Sequence, residues 1–212
     1  MIEFPQGFAH YPLYFSPKEQ DALIRAVRTG VLAAPFYQPA MPRTGDKLSV
    51  VMSNFGPLGW VTDKEKGYRY QPYHPKTGAP WPKRPELLDK LWDEVSVFPA
   101  RPEACLINWY RQEGDGGKGA KMGLHVDNDE KDLRAPVVSV SLGDPAMFRI
   151  GGPMRCGPTA GLKLFSGDVV VLAGEARSCY HGVSKVFYGQ SALVPKGGRI
   201  NLTMRRVNGI KS

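Results

Sequence analysis

Hydrophobic and polar positions follow two different patterns along this chain, and the change falls near residue 100. Downstream, apolar residues come in short runs, many of them β-branched, punctuated by Gly, Pro, Asp and Ser. That is the signature of short antiparallel strands joined by turns. The runs predict strands over Ala104 to Tyr110, Met122 to His125, Val137 to Leu142, Ala146 to Ile150, Leu162 to Phe165, Val169 to Leu172, Ser178 to Gly182 and Arg199 to Met204. Eight strands is a jelly-roll count within the wider class of antiparallel sandwiches and barrels. Ser166-Gly167-Asp168 reads as a turn, and the Gly-rich, polar stretch Arg111 to Gly119 as a flexible loop.

Upstream the period is different. Ser16-Pro17-Lys18-Glu19 has the form of a capping box with proline at the first helical position, and Leu23, Ile24 and Val27 then recur at helical spacing until Gly30 ends the run. Leu87, Leu88, Leu91, Trp92 and Val95 share one face of a second helix predicted over Pro85 to Val95, a face suited to packing on the sheet. Between the two helices, Pro35 to Pro85 is dense in Pro, Gly, Tyr and Trp, with one strand over Leu48 to Ser53. Hairpins and ordered loops follow from that composition, and aromatic loops of this kind serve recognition.

At 212 residues the chain fits one domain with a sizeable core. Cys105, Cys156 and Cys179 are odd in number and widely spaced, which argues against a zinc knuckle or a disulfide framework and for reduced thiols. Met1 to Tyr14 lacks the apolar core of a signal peptide, and no stretch approaches the length of a membrane span. A cytoplasmic protein with no membrane partner is expected.

The net charge of +8 favours a polyanionic partner. Its distribution sharpens this, because Arg43, Lys47, Lys64, Lys66, Arg69, Lys76, Lys83 and Arg84 are interleaved with Trp60, Tyr68, Tyr70, Tyr73 and Trp81. Rings beside cations suit a single-stranded base and its backbone.

The chemistry-bearing residues are His125, Asp127 and His181. Residues two apart on a strand point to one side, so His125 and Asp127 can reach a single ion, with His181 arriving from elsewhere in the fold. Two imidazoles and a carboxylate on one face of an octahedral Fe(II) leave positions for a chelating co-substrate and O2. Such a co-substrate needs a cation for its far carboxylate, and Arg199, 18 residues beyond His181, is placed to supply a planar fork. Arg205 and Arg206 directly follow the last predicted strand, and as neighbours in extended chain they face opposite sides, so only one of them can line the pocket. His10 and His74 read as surface or hydrogen-bonded histidines.

Several motifs occur together and in order: A-C-L-I-N-W-Y (Ala104 to Tyr110), L-H-V-D-N-D-E (Leu124 to Glu130), L-R-A-P-V-V-S-V-S-L-G (Leu133 to Gly143), G-D-V-V-V-L-A-G-E-A-R (Gly167 to Arg177), Y-H-G-V (Tyr180 to Val183) and R-I-N-L-T-M-R-R (Arg199 to Arg206). With S-V-V-M-S-N-F-G-P-L-G-W (Ser49 to Trp60) and G-Y-R-Y (Gly67 to Tyr70), the chain resembles the bacterial AlkB family over most of its length beyond residue 45.

The resemblance implies a mainly β (α+β) fold: a double-stranded β-helix, or jelly roll, over residues 101–212, with an N-terminal α/β nucleotide-recognition extension over 1–100, all in one domain. It implies Fe(II) on His125, Asp127 and His181, and 2-oxoglutarate on Arg199 and Arg205 with Asn108, Tyr110 and Asn201. Trp60 is the implied base-stacking ring, Tyr68 a substrate contact, Asp129 the acid that tunes specificity and Arg155 a basic residue beside the nucleic-acid groove. The implied activity is oxidative demethylation of N-alkylated bases of the 1-methyladenine and 3-methylcytosine type, with O2 consumed and formaldehyde, succinate and CO2 released, by a monomer acting on single-stranded DNA or RNA. Hydroxylation or demethylation of tRNA, and metal-free nucleic-acid binding, stand as alternatives. Two departures bear on substrate: the longer Gly-rich loop Glu113 to Gly119, and the bulky Trp109 between Asn108 and Tyr110.

Overall fold

The computed structural model describes residues 3–112 and 119–210, so residues 113–118 of the Gly-rich loop lie outside the described residues. In chain order the elements are β1 (Phe8–Tyr11), α1 (Pro17–Ala33), β2 (Val51–Phe55), β3 (Gly59–Asp63), β4 (Gly67–Gln71), α2 (Glu86–Val95), β5 (Ala104–Tyr110), β6 (Met122–His125), β7 (Val137–Gly143), β8 (Ala146–Ile150), β9 (Ala160–Leu164), β10 (Val169–Leu172), a 3-10 turn (Gly174–Ser178), β11 (His181–Val186) and β12 (Arg199–Arg205).

A six-stranded sheet in the order β1-β10-β7-β12-β5-β2 stands against a four-stranded sheet in the order β6-β11-β8-β9, and β3 and β4 form a separate hairpin. Pairing is antiparallel throughout. Four strands of the larger sheet and all four of the smaller are β5 to β12, the expected double-stranded β-helix. β1 and β2, from the first hundred residues, complete the two edges of the larger sheet.

Side chains of β12 sort by parity. Ile200, Leu202 and Met204 join Leu23, Ile24 and Val27 of α1 and Leu88, Leu91 and Trp92 of α2 in one apolar layer. Arg199, Asn201, Thr203 and Arg205 point the other way, into a cavity between the sheets. A second layer, from Val137, Phe148, Ile150, Leu164, Val170 and Leu172, closes the barrel beside that cavity. Trp109 falls on the helix side of β5, where its ring lies 5.3 Å from that of Phe36 and its indole N–H donates to the Gly197 carbonyl at 3.1 Å. Its bulk is therefore spent outside the pocket.

Three boundaries differ from the sequence reading. Gly30 does not end α1, which runs on to Ala33. This glycine is buried against β2, where a Cβ would stand 2.7 Å from Phe55 Cε1, so close helix–sheet packing, not helix termination, explains it. The strand expected over Leu48 to Ser53 begins at Val51 because Leu48 N–H is taken by the Pro39 carbonyl. The strand expected over Ser178 to Gly182 begins at His181, since Gly174–Ser178 is tightened into a 3-10 turn whose Ala176 N–H donates to Gln6. The second helix, the other seven strands expected beyond residue 100 and the turn at Ser166 to Asp168 lie within two residues of expectation, while β1, β3 and β4 are strands that the pattern does not mark out. Among the described residues no helix is long and apolar enough to cross a membrane.

Candidate functional site

His125 ends β6 and His181 begins β11, and the two face each other across the ladder. That approach depends on Gly182, where a Cβ would stand 2.6 Å from the Met122 carbonyl and 2.8 Å from that of Gly123. Asp127 follows two residues after His125. Its Oδ1 lies 3.5 Å from His125 Nε2, its Oδ2 lies 3.6 Å from His181 Nε2, and one ligand atom from each of the three fits within 4.8 Å. Both imidazoles place Nδ1 against the backbone carbonyl two residues earlier, His125 on Gly123 at 2.9 Å and His181 on Cys179 at 3.0 Å. With Nδ1–H donating there, both Nε2 lone pairs face Asp127.

Electrostatics suit a cation. Burial pushes the Asp127 carboxyl up, but Arg205 and the two imidazoles outweigh it and hold the group well below the ordinary carboxylate range. Burial depresses His125, whose ring lies deep in the cavity yet open to it, so it is neutral and its lone pair is free. Two imidazoles and one carboxylate are a donor set for Fe(II) with coordination positions left over.

Beside the triad sits a guanidinium with donors to spare. Arg199 is 2% exposed, gives Nη2 to Ser141 Oγ at 2.9 Å, and lies 5.1 Å from the Tyr110 ring centroid. Its Nε and Nη1, and the nearby Asn108 Oδ1, are buried without partners among the described residues. A buried cation with unmet donors facing a cavity calls for an anion, and a dicarboxylate that also reaches the metal meets the requirement. Asn201 lines the same wall but spends its amide N–H groups on Ser139 and Val140 and accepts from Thr203. Arg205, not Arg206, faces inward: its Nη2 bonds Asp127 Oδ1 at 2.6 Å and its Nη1 bonds Glu130 Oε1 at 3.1 Å. Arg206 lies on the other side of the strand, against Glu103.

Toward solvent the chemistry changes to rings. Trp60 of β3 and Tyr68 of β4 stack with centroids 5.5 Å apart and planes 23° from parallel. The Trp60 indole N–H donates to Asp129 Oδ2 at 2.7 Å. Arg155, exposed on the loop after β8, contributes to the rim. All twelve residues singled out in the sequence line one cavity of about 340 Å³, whose remaining wall is largely apolar, including Met41, Leu48, Met52 and Leu106. His74 is buried, its Nε2 on the Pro35 carbonyl and its Nδ1 accepting from two N–H groups, while His10 pairs with Asp168. Both are therefore structural, as expected.

Glu130 and Arg177 carry no role that the sequence reveals, and Tyr70 only a place among the aromatic rings, although each lies within a quoted motif. Arg177 is 3% exposed, with Nη2 on Glu130 Oε2 at 2.8 Å, Nε on the Ala135 carbonyl at 3.1 Å and Nη1 on the Asp127 carbonyl. The Tyr70 hydroxyl bonds Glu130 and accepts from Arg205. Burial raises the Glu130 carboxyl, but Arg205, Tyr70 and Arg177 bring it below its ordinary value, so it is ionised.

Comparison with known proteins supplies the family. Residues 7–205 match the model of the 2OG-Fe(II) oxygenase superfamily. An alpha-ketoglutarate-dependent dioxygenase AlkB homolog of Caulobacter vibrioides is 48% identical over 202 residues, covering 94% of this chain and 87% of that protein. The alpha-ketoglutarate-dependent dioxygenase AlkB of Escherichia coli K12 is 43% identical over 196 residues, 91% of this chain and 87% of that one. The solved structure of OsALKBH1 superposes with a TM-score of 0.78 at 28% identity, over 97% of this chain and 99% of that chain. Matched across its double-stranded β-helix, its triad and its motifs, this chain belongs to the AlkB family of iron(II)- and 2-oxoglutarate-dependent dioxygenases.

Proposed function

We propose that the enzyme oxidatively removes methyl groups from ring nitrogens of bases such as 1-methyladenine and 3-methylcytosine in single-stranded DNA or RNA, and so repairs alkylation damage. The observation that carries this reading is the stacked Trp60–Tyr68 pair with an exposed carboxylate, Asp129, held beside it at the mouth of the cavity that ends on the triad. A planar base fits against such rings, and a carboxylate favours one carrying the positive charge that N-methylation leaves.

His125, Asp127 and His181 would hold Fe(II), and Arg199 with Asn108, Tyr110 and Arg205 would hold 2-oxoglutarate. Bound there, the pair supplies the O2 activation that oxidises an N-methyl group, with formaldehyde, succinate and CO2 as products. The protein's own contribution is placement. Trp60 and Tyr68 grip the base once it has left its stack, which costs least in a single strand. Asp129 selects for charge, Arg155 takes a flanking phosphate, and the apolar wall of Met41, Met52 and Leu106 keeps water from the reacting centre. Residues 1–100 supply the recognition hairpin and 101–212 the catalytic barrel. Unpaired Cys105, Cys156 and Cys179 suit a cytosolic setting, and we take the working unit to be a monomer.

Mass spectrometry of a panel of modified oligonucleotides, after incubation with enzyme, Fe(II), 2-oxoglutarate and ascorbate, tests the reading. Conversion of 1-methyladenine and 3-methylcytosine to the unmodified bases is expected, ahead of neutral methylated bases. Turnover confined to tRNA would redirect the assignment to RNA modification, and no conversion of any cationic base would overturn it.

A further inference from the structure

Two consecutive carboxylates just past the metal ligand are held by two residues that face each other across the recognition hairpin. Trp60 and Tyr70 are cross-strand partners in β3 and β4. Trp60 bonds Asp129 and Tyr70 bonds Glu130. From Glu130 the contacts run back to Asp127 along two routes: through Arg205 to the carboxylate, and through Arg177 to the main-chain carbonyl. Arg177 ends four residues before His181, in the 3-10 turn that leads into β11. One buried network thus touches the segments carrying two metal ligands and the hairpin carrying both stacking rings.

Stability alone is a poor reason for this arrangement. Two guanidinium groups and two carboxylates are withdrawn from water, and such pairs seldom repay their desolvation relative to apolar side chains. What they do supply is fixed geometry, because each member has a partner on both sides and none can move alone.

We propose that Tyr70, Glu130 and Arg177 are positioning residues that hold Asp127 for the metal, and that through Tyr70 the base-recognition hairpin is coupled to that ligand. The coupling half rests on the function proposed above; the positioning half does not. A base stacked on Trp60 and Tyr68 orders the hairpin, the ordered hairpin fixes Glu130, and Glu130 fixes both arms that reach Asp127. By linkage, the metal and the base then strengthen each other's binding by one common factor.

Mn(II), which binds such a donor set without turnover, is the probe. Its dissociation constant is read by electron paramagnetic resonance for the wild type, Tyr70→Phe, Glu130→Gln and Arg177→Lys, each alone and with a saturating single-stranded oligonucleotide carrying 1-methyladenine. Melting temperature reports folding, and Tyr70→Phe, which removes one hydroxyl, decides if a charge variant fails to fold. Loss of a partner to a metal ligand weakens metal binding roughly 10–100-fold, which is expected for Arg177→Lys and Glu130→Gln. Tyr70→Phe is expected to weaken Mn(II) less and to abolish the tightening that the oligonucleotide causes in the wild type. Wild-type Mn(II) affinity in all folded variants overturns the positioning role. A folded Tyr70→Phe that keeps the full oligonucleotide response overturns the coupling. An oligonucleotide that does not bind the wild type overturns the proposed substrate and the coupling with it, while the metal titrations without oligonucleotide still decide the positioning role.

Discussion

The floor and the mouth of the cavity are built by opposite means. On the floor, Asp127, His181, Arg199 and Arg205 are nearly inaccessible and lie on regular strands or directly after one, each fixed by further hydrogen bonds. At the mouth, Tyr68 is 46% exposed, Asp129 and Arg155 are exposed, and the rings stand on a two-stranded hairpin apart from both main sheets. Each kind of specificity therefore has its own place in the cavity. On the function proposed above, metal and co-substrate would meet groups whose positions the barrel over-determines, whereas the polynucleotide would meet groups with few neighbours, which can adjust as it binds.

The largest effects should therefore come from the floor. Asp127→Ala or His181→Ala removes a ligand, so Mn(II) affinity, read by titration, should fall by more than the roughly 10–100-fold typical of losing a ligand's supporting partner, with formaldehyde release lost as well. Retention of either property would place the ion elsewhere. Arg199→Met comes next. Losing one partner of a buried, hydrogen-bonded charge pair costs about 2–5 kcal/mol, so the KM for 2-oxoglutarate should rise steeply while Mn(II) affinity holds. An unchanged KM would mean that another cation receives the co-substrate.

The floor was also the legible part of the molecule. On β12 a strict period of two separates Ile200, Leu202 and Met204 from Arg199, Asn201, Thr203 and Arg205, so strand pattern alone puts both arginines on one face. Spacing likewise paired His125 with Asp127. What could not be read was anything set by distant partners. Glu130 lies in a run of polar residues that looks solvated, yet its bonds are to Arg177 and Arg205, 47 and 75 positions away. Gly30 looks like a helix stop until Phe55 is known to lie against it. Arg177 stands one residue before what reads as a strand, and only the 3-10 turn aims it at the Asp127 carbonyl.

Mouth variants should cost less and fall on the polynucleotide. Trp60→Ala should weaken oligonucleotide binding by about 1–3 kcal/mol, the worth of one base–aromatic stack, with 2-oxoglutarate KM unaffected. An equal loss of 2-oxoglutarate affinity would erase the contrast between floor and mouth. Arg155→Ala should weaken binding similarly for all sequences and reduce the salt slope of the association constant by about 1, as for a single phosphate contact. An unchanged slope would remove Arg155 from the interface.

The smallest effect is on stability. Burial depresses His74 below its ordinary 6.5, and it is neutral while its Nδ1 accepts from Lys76 and Thr77. A depressed folded-state value means that the unfolded chain binds the proton more readily, so stability is fully present above about 6.5 and is lost as pH falls through the window beneath it. His125, depressed by burial in the metal-free protein, adds to the same slope. Melting temperature measured against pH should therefore fall below about 6.5, and fall more steeply once metal, which keeps its imidazole ligands deprotonated, occupies the site; a flat profile in the metal-free protein would contradict the neutral assignments.

Three side chains and one guanidinium with unmet donors share a single cavity, and anaerobic absorbance tests their joint action directly. Fe(II) and 2-oxoglutarate added together should develop a weak visible band in the wild type that saturates at one equivalent of each per chain, that needs both additions, and that is absent in Asp127→Ala. A band that persists unchanged in Asp127→Ala, or no band in the wild type, would contradict it.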